Sequence, residues 1–292
     1  PGMGTRVNLR MRTCDVHEAV VRGGYVDAYE VTVARFRAWV NAGMPRPANG
    51  EPYFSGLRWD DGFNEQLQVP TQATAEERVP GMTTSNAMCT WSPTPGVNDD
   101  LPINCLTVMS AFVFCWWDGK HIATEIAWEY LATNRGTTPT PFGMVLPDSR
   151  GCAYGDVGSG AGICPRRMLP SAVNTHPTGA TRDPAGIHDL WGGVQEFVVG
   201  LNSPYAPVPP FGGSFPCIRE APLAIDGVYS IDGPYFLTGA LMLRGAAWFQ
   251  SLTEHQYFAH AATRGGEPGG VPGPSRSVRN GIRCMRWLPE PR

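Results

Sequence analysis

The sequence predicts a loop-rich α+β domain, and three observations lead there. Glycine (35) and proline (28) together exceed a fifth of the 292 residues, a level that suits neither a helical bundle nor long regular sheets. Hydrophobic residues still reach 42% against 17% charged, so the chain has the means to bury a sizeable core and does not read as disordered. Only three segments carry helical periodicity, and the strand-like runs around them are short.

In chain order, residues 1–23 read as an N-terminal extension and 24–292 as one domain without internal repeat or clean linker. Tyr25 to Glu30 reads as a short strand. Thr32 then offers a hydroxyl cap for a helix from Val33 to Asn41, with Val33, Phe36, Trp39 and Val40 on one face and Gly43 as its stop. Residues 44–100 are rich in Pro, Gly, Asn and Thr and read as long loops with short strands. A second helix follows Thr107, burying Val108, Ala111, Phe112, Cys115 and Trp116 before Gly119. A third starts at Thr124 and buries Ile126, Ala127, Tyr130 and Leu131. Residues 135–187 return to loop, and strands are expected near 194–199, 241–249 and 281–287.

A net charge of −3 gives no general attraction to nucleic acid or to an anionic membrane. No apolar run is long enough to span a bilayer, so no membrane insertion is expected. Lys120 is the sole lysine among 23 basic residues. That bias fits a GC-rich genome, a thermophile's included, although arginine enrichment is weak evidence for heat stability. Eight cysteines are scattered without a Cys-x-x-Cys pair, which disfavours a zinc ribbon and favours disulfides. Disulfides fit an oxidising compartment or a thermophilic cytoplasm. Cys152 with Cys164 and Cys89 with Cys105 are local candidates; spacing alone leaves connectivity open.

One stretch stands apart. Between Leu243-Arg244-Gly245-Ala246-Ala247-Trp248 and Asn280-Gly281-Ile282-Arg283-Cys284 lies a mixture that neither periodicity nor turn chemistry explains. It holds Phe249, Gln250, Ser251, Glu254, His255, Tyr257, Phe258 and His260, then a Gly/Pro-rich run leading to Arg276, Ser277, Val278 and Arg279. Such a set reads as a contact surface held between two framing strands. Aromatic side chains give large contact area at low entropic cost, small polar ones adapt their hydrogen bonds, and arginine adds a planar charged fork.

Six motifs then line up in order: Tyr29-Glu30-Val31-Thr32; Leu101-Pro102-Ile103-Asn104 leading to Trp117-Asp118-Gly119-Lys120; Thr124-Glu125-Ile126-Ala127-Trp128-Glu129-Tyr130; Asp189-Leu190-Trp191-Gly192-Gly193-Val194-Gln195-Glu196-Phe197; Arg244-Gly245-Ala246-Ala247-Trp248; and Gly281-Ile282-Arg283-Cys284. Together they resemble the formylglycine-generating enzyme (sulfatase-modifying factor) family over residues 24–287. The resemblance implies an irregular α+β domain of C-type lectin-like fold. It also implies a disulfide between Cys115 and Cys284. A structural calcium ion is implied too, with Asp189 and Glu196 giving carboxylate oxygens and Gly192 and Val194 backbone carbonyls, the ligand type a hard cation requires.

The oxidases of that family hold copper(I), a soft metal, between two cysteines that follow the arginine-glycine motif. Here the first position falls at Gln250 and the second near His255 or Gln256, and no cysteine lies between Cys217 and Cys284. A cysteine–copper site cannot form there, so neither copper nor oxidase activity is expected. The chain is more similar in character to the variable proteins of diversity-generating retroelements, which share this fold and carry replaceable positions between the same two marks. Many residues of the window, such as Phe249, Tyr257, His260 and Arg279, are ones an adenine-mutated Asn codon yields; Gln250 and Glu254 are not. The expected function is therefore binding of a protein or surface ligand through 249–279. The alternative is a catalytic relative of formylglycine-generating enzyme or sulfoxide synthase with a metal site that uses no cysteine.

Overall fold

A computed structural model describes residues 5–9, 17–54, 57–70, 88–138, 140–141, 143, 169–176, 180–181, 186–199, 224–225, 241–248 and 277–289. The chain opens with strands β1 (Thr5–Leu9) and β2 (His17–Val21), which pair antiparallel. Strand β3 (Gly24–Val26) follows, shorter than the expected 25–30, and then helix α1 (Val33–Asn41). The short strands β4 (Pro52–Phe54) and β5 (Leu57–Arg58) and a 3-10 turn over Asp61–Gln66 lead to helix α2 (Val108–Trp117). After them come β6 (His121–Ile122), helix α3 (Glu125–Ala132), β7 (Gln195–Val199), β8 (Ala224–Ile225) and β9 (Leu241–Arg244). Strands β10 (Asn280–Gly281) and β11 (Cys284–Trp287) end the series.

Local chemistry explains the helices. Each is capped by a threonine whose hydroxyl accepts from the N–H three residues on: Thr32 from Arg35, Thr107 from Ser110 and Thr124 from Ala127. Such a cap contributes about 1 kcal/mol. Gly43 and Gly119 end α1 and α2 with φ of 87° and 71°, and their N–H groups close the last turn on Val40 and Trp116. Asn134 does the same after α3 at φ 47°. Helix α2 is buried from Met109 through Cys115 and not along one stripe alone, because the β4–β5 hairpin and the 3-10 turn also pack on it.

Among the described residues the strands form four small sheets: β1-β2-β8, β10-β7-β9, β3-β11-β6 and β4-β5. The first uses part of the expected N-terminal extension, since β2 pairs parallel with β8. The main core lies around α1 and α2. Phe36, Trp39, Phe112, Phe114, Tyr53 and Trp59 meet there, mostly edge to face, with centroids 5.0 Å apart for Phe36–Trp39 and 5.7 Å for Tyr53–Trp59. Pairs of this kind add about 0.5–1.5 kcal/mol beyond area burial. The Cys115–Cys284 disulfide implied by the family motifs is present and ties α2 to β11 across 169 residues. Cys89–Cys105 is present as well, while Cys152 and Cys164 lie outside the described residues. No helix among the described residues is long and apolar enough to cross a membrane.

Candidate ligand-presenting site

The contact window begins and ends on one sheet. Strand β7 is its centre, with β9 antiparallel on one side and β10 parallel on the other. At ordinary strand spacing this sets the two stems of the window roughly 10 Å apart, one on each side of β7. Each stem is also bonded to the turn entering β7. Trp248 donates its N–H to Gly193 O (2.9 Å), and Gln195 donates to Arg279 O (2.7 Å).

Of the contact residues expected from sequence, Phe249, Gln250, Ser251, Glu254, His255, Tyr257, Phe258, His260 and Arg276 lie outside the described residues. The remaining three are placed. Val278 is fully buried and Ser277 nearly so, while Arg279 is half-buried. Ser277 and Val278 therefore belong to the frame and not to an outward face. The reason is apolar packing: Val278 joins Met88, Cys89, Cys105, Val194, Ala247 and Trp248 in one cluster. Trp248 is 1% exposed, so both ends of the window sit in the same buried group.

The turn expected to hold calcium lies beneath this sheet. Asp189, Gly192 and Gly193 all take positive φ, of 59°, 91° and 65°. At Gly193 a Cβ would stand 2.7 Å from an oxygen of Glu30, so only glycine fits. That carboxylate accepts the Val194 N–H at 2.9 Å. Glu196 accepts from Trp128 Nε1 on one oxygen (2.7 Å) and from Arg283 Nε on the other (2.9 Å). Asp189 accepts the Asn174 N–H at 3.0 Å. Arg283, fully buried, also donates to the carbonyls of Asp27 and His188 at 2.9 and 2.7 Å.

Burial, then the charges of Asp189 and Glu196, push the Glu30 carboxyl well above its ordinary pKa; Arg283 and the Val194 N–H oppose the shift. Burial works against the Arg283 charge, yet Glu196, Glu30 and Asp189 outweigh it and hold the guanidinium above its ordinary value. Three buried carboxyl groups thus face one guanidinium. No group of three His, Cys, Asp or Glu among the described residues is arranged to hold a metal, so the side chains alone make no complete coordination shell. The carbonyls of Gly192 and Val194 would have to complete it.

Sequence reasoning missed Glu30 and Arg283 as members of this cluster, although both stand in the quoted motifs. It also missed the role of Arg244. That side chain is fully buried and donates to Glu125 (2.7 Å) and Glu129 (2.8 Å), one helical turn apart on α3. The spacing of those two glutamates in a helix otherwise buried was the available signal, since a buried like-charged pair calls for a cation.

The comparisons with known proteins bear on the family and the fold. The model of the sulfatase-modifying factor enzyme 1-like domain matches residues 3–288. No curated protein sequence matches the chain at a significant level. Among solved structures, PvdO from Pseudomonas aeruginosa is similar at a TM-score of 0.58 and 16% identity, covering 99% of this chain and 92% of that one. Treponema denticola variable protein 1 is similar at 0.52 and 13% identity, with 99% and 93% covered. At these identities the likeness concerns the fold, which is the α+β, C-type lectin-like fold of formylglycine-generating type. With a match over residues 3–288, from end to end of the sheet system, the chain belongs to the family of the sulfatase-modifying factor enzyme 1-like domain.

Proposed function

We propose that this protein is a non-catalytic binder, a variable protein of the diversity-generating retroelement kind, and that it engages a protein or surface ligand through 249–279. The observation that carries the reading is the shared anchorage of Trp248 and Val278 in one buried cluster on either side of β7. A frame of that kind keeps its backbone in place while side chains between the stems are exchanged. The missing cysteines support it from the chemical side, because Gln250 and the residues near His255 offer no thiolate for copper(I). A calcium ion at the 189–196 turn is part of the proposal. Its role is to hold the turn that both stems are bonded to, and the excess of buried carboxylate supports it.

Sequencing the coding segment across a population tests the reading. Substitutions should gather in 249–279 outside the buried Ser277 and Val278, and spare those two codons with 243–248 and 280–284, with a near-copy of the segment beside a reverse transcriptase gene. An invariant window, or substitutions spread evenly along the chain, would count against it. So would turnover of a cysteine-containing sulfatase peptide by the copper-loaded protein.

A further inference from the structure

Two disulfides lie among the described residues, and they do different work. Cys115–Cys284 joins α2 to β11 within the main core. Cys89–Cys105 lies in the small cluster that also receives Trp248 and Val278. Around it the hydrogen bonds converge on the second stem. Cys105 donates its N–H to Ser277 O at 3.2 Å. Asn104, fully buried, donates its side-chain amide to Val278 O and to Met88 O, both at 2.9 Å. Its oxygen accepts from the Thr90 N–H at 2.7 Å. The 88–90 segment, Asn104–Cys105 and the 277–278 stem are thus one hydrogen-bonded unit with the disulfide through its middle.

Cys105 has a backbone φ of 57°. A residue with a Cβ does not adopt that left-handed conformation by preference and keeps it only where its surroundings over-determine it. Here the cross-link to Cys89, the Cys105 N–H bond to Ser277 and the bonds of the Asn104 side chain supply the constraint. Without the cross-link the φ of Cys105 is free to relax to negative values. That movement turns the 104–105 peptide, whose N–H is bonded to Ser277 O, and shifts the adjoining Asn104 side chain, which is bonded to Val278 O and to the 88–90 segment.

We propose that Cys89–Cys105 is a positioning disulfide for the contact window: it holds Cys105 in its left-handed conformation and so fixes the 277–281 stem against the Trp248 stem. The consequence is that the window is correctly framed only in protein that has been oxidised, while the rest of the fold, stapled by Cys115–Cys284, keeps its arrangement without that bond and loses only the loop-closure stability shared by the whole chain. The significance of the clamp rests on the binding reading; its test does not.

The test is amide hydrogen exchange on the full chain, comparing wild type with Cys89→Ser/Cys105→Ser and with Cys89→Ser/Cys105→Gly. In the serine pair, peptides covering 243–248 and 277–281 should exchange at least tenfold faster than the global loss of stability, read by urea unfolding of the same protein, accounts for, while those covering 108–117 and 284–287 speed up only by that global loss. Glycine adopts positive φ without penalty, so the glycine variant should recover much of the stem protection without restoring any cross-link. A disulfide acting only as a covalent tether would show no such recovery. Unchanged stems in the serine pair, loss spread evenly into α2 and β11, or no recovery with glycine would each overturn the proposal. Should the serine pair not fold, wild-type protein reduced with a phosphine until mass spectrometry shows Cys89–Cys105 open and Cys115–Cys284 intact is read by the same peptides, and stems that stay protected refute the clamp. None of these outcomes depends on whether 249–279 varies or binds, so the clamp and the binding reading stand or fall separately.

Discussion

Glu30 shows how much a single residue carries in this fold. Its carboxylate fills the space that a Cβ at Gly193 would take, and it accepts the N–H that starts the approach to β7. Burial and two neighbouring carboxylates raise its pKa above the ordinary 4.5, so the folded state holds its proton more tightly than the unfolded chain does. The sign follows by linkage: this contribution to stability is fully present below pH 4.5 and is lost as pH rises through the folded value. Asp99 gives the opposite slope, because its hydrogen bond to Arg37 and the Gly96 N–H lower its pKa. The informative quantity is therefore the difference between wild type and Glu30→Gln. Glutamine keeps an oxygen for the Val194 N–H and removes the like charge. Thermal melts across pH 4 to 8 should show the variant gaining on wild type as pH rises, by roughly 1–2 kcal/mol at pH 7, the usual scale of one buried polar change. The proposed calcium ion would supply by charge what the proton supplies at low pH. It should therefore raise the wild-type melting temperature at pH 7 relative to chelator, and raise that of Glu30→Gln less. Parallel melting curves for the two proteins at every pH would show that the carboxylate carries no such strain.

At the scale of elements, α3 is bound to β9 through Arg244, held between Glu125 and Glu129. Burial opposes the guanidinium charge, and the two glutamates outweigh it. Arg244→Leu leaves two buried carboxylates without the guanidinium that neutralises them, and breaking a buried pair of this type costs about 3–5 kcal/mol. Urea unfolding should show that loss as a lower midpoint at unchanged slope, with Glu125→Gln/Glu129→Gln in the same background recovering part of it. A loss under about 1 kcal/mol would mean that packing, not charge, joins these elements. The elements differ in how far the sequence revealed them. The helices were legible because caps and stops are local: Thr32, Thr107 and Thr124 begin them, and Gly43 and Gly119 end two of them. Strand limits were not, because the partners that set them are distant in sequence. The run expected at 281–287 is two strands, broken at Ile282–Arg283 where the arginine turns inward to Glu196. The run expected at 241–249 stops at Arg244, because Gly245 takes φ 79° beside the Leu190 carbonyl. Hairpin β1–β2 went unread because its parallel partner β8 lies some 200 residues on.

For the whole molecule, the site was legible as a pair of flanking motifs but not as a frame. Trp248 and Val278 are 30 residues apart in sequence, and only the three-stranded order β10-β7-β9 brings them onto one cluster. The same order misled the reading of Ser277 and Val278, whose composition suits a contact surface and whose position is interior. Global stability rests on a different connection. Cys115 and Cys284 are both fully buried, and their bond closes 169 residues between α2 and β11. In the chain-entropy model a loop of that length, once opened, releases about 5 kcal/mol of constraint on the unfolded chain. The Cys89–Cys105 loop, with a separation of 16, is worth about 3 kcal/mol on the same scale. Cys115→Ala/Cys284→Ala should therefore lower unfolding stability more than Cys89→Ser/Cys105→Ser does. Its denaturant slope should also rise, because an unfolded chain freed of its longest cross-link exposes more surface. Amide exchange separates the two losses in kind: opening the long loop should speed exchange in α2, β11 and the stems together, since each then opens through global unfolding. If the long-loop variant instead lost protection only at β11, the bond would be a local tether and the core around Phe36, Trp39 and Phe114 would hold the molecule without it.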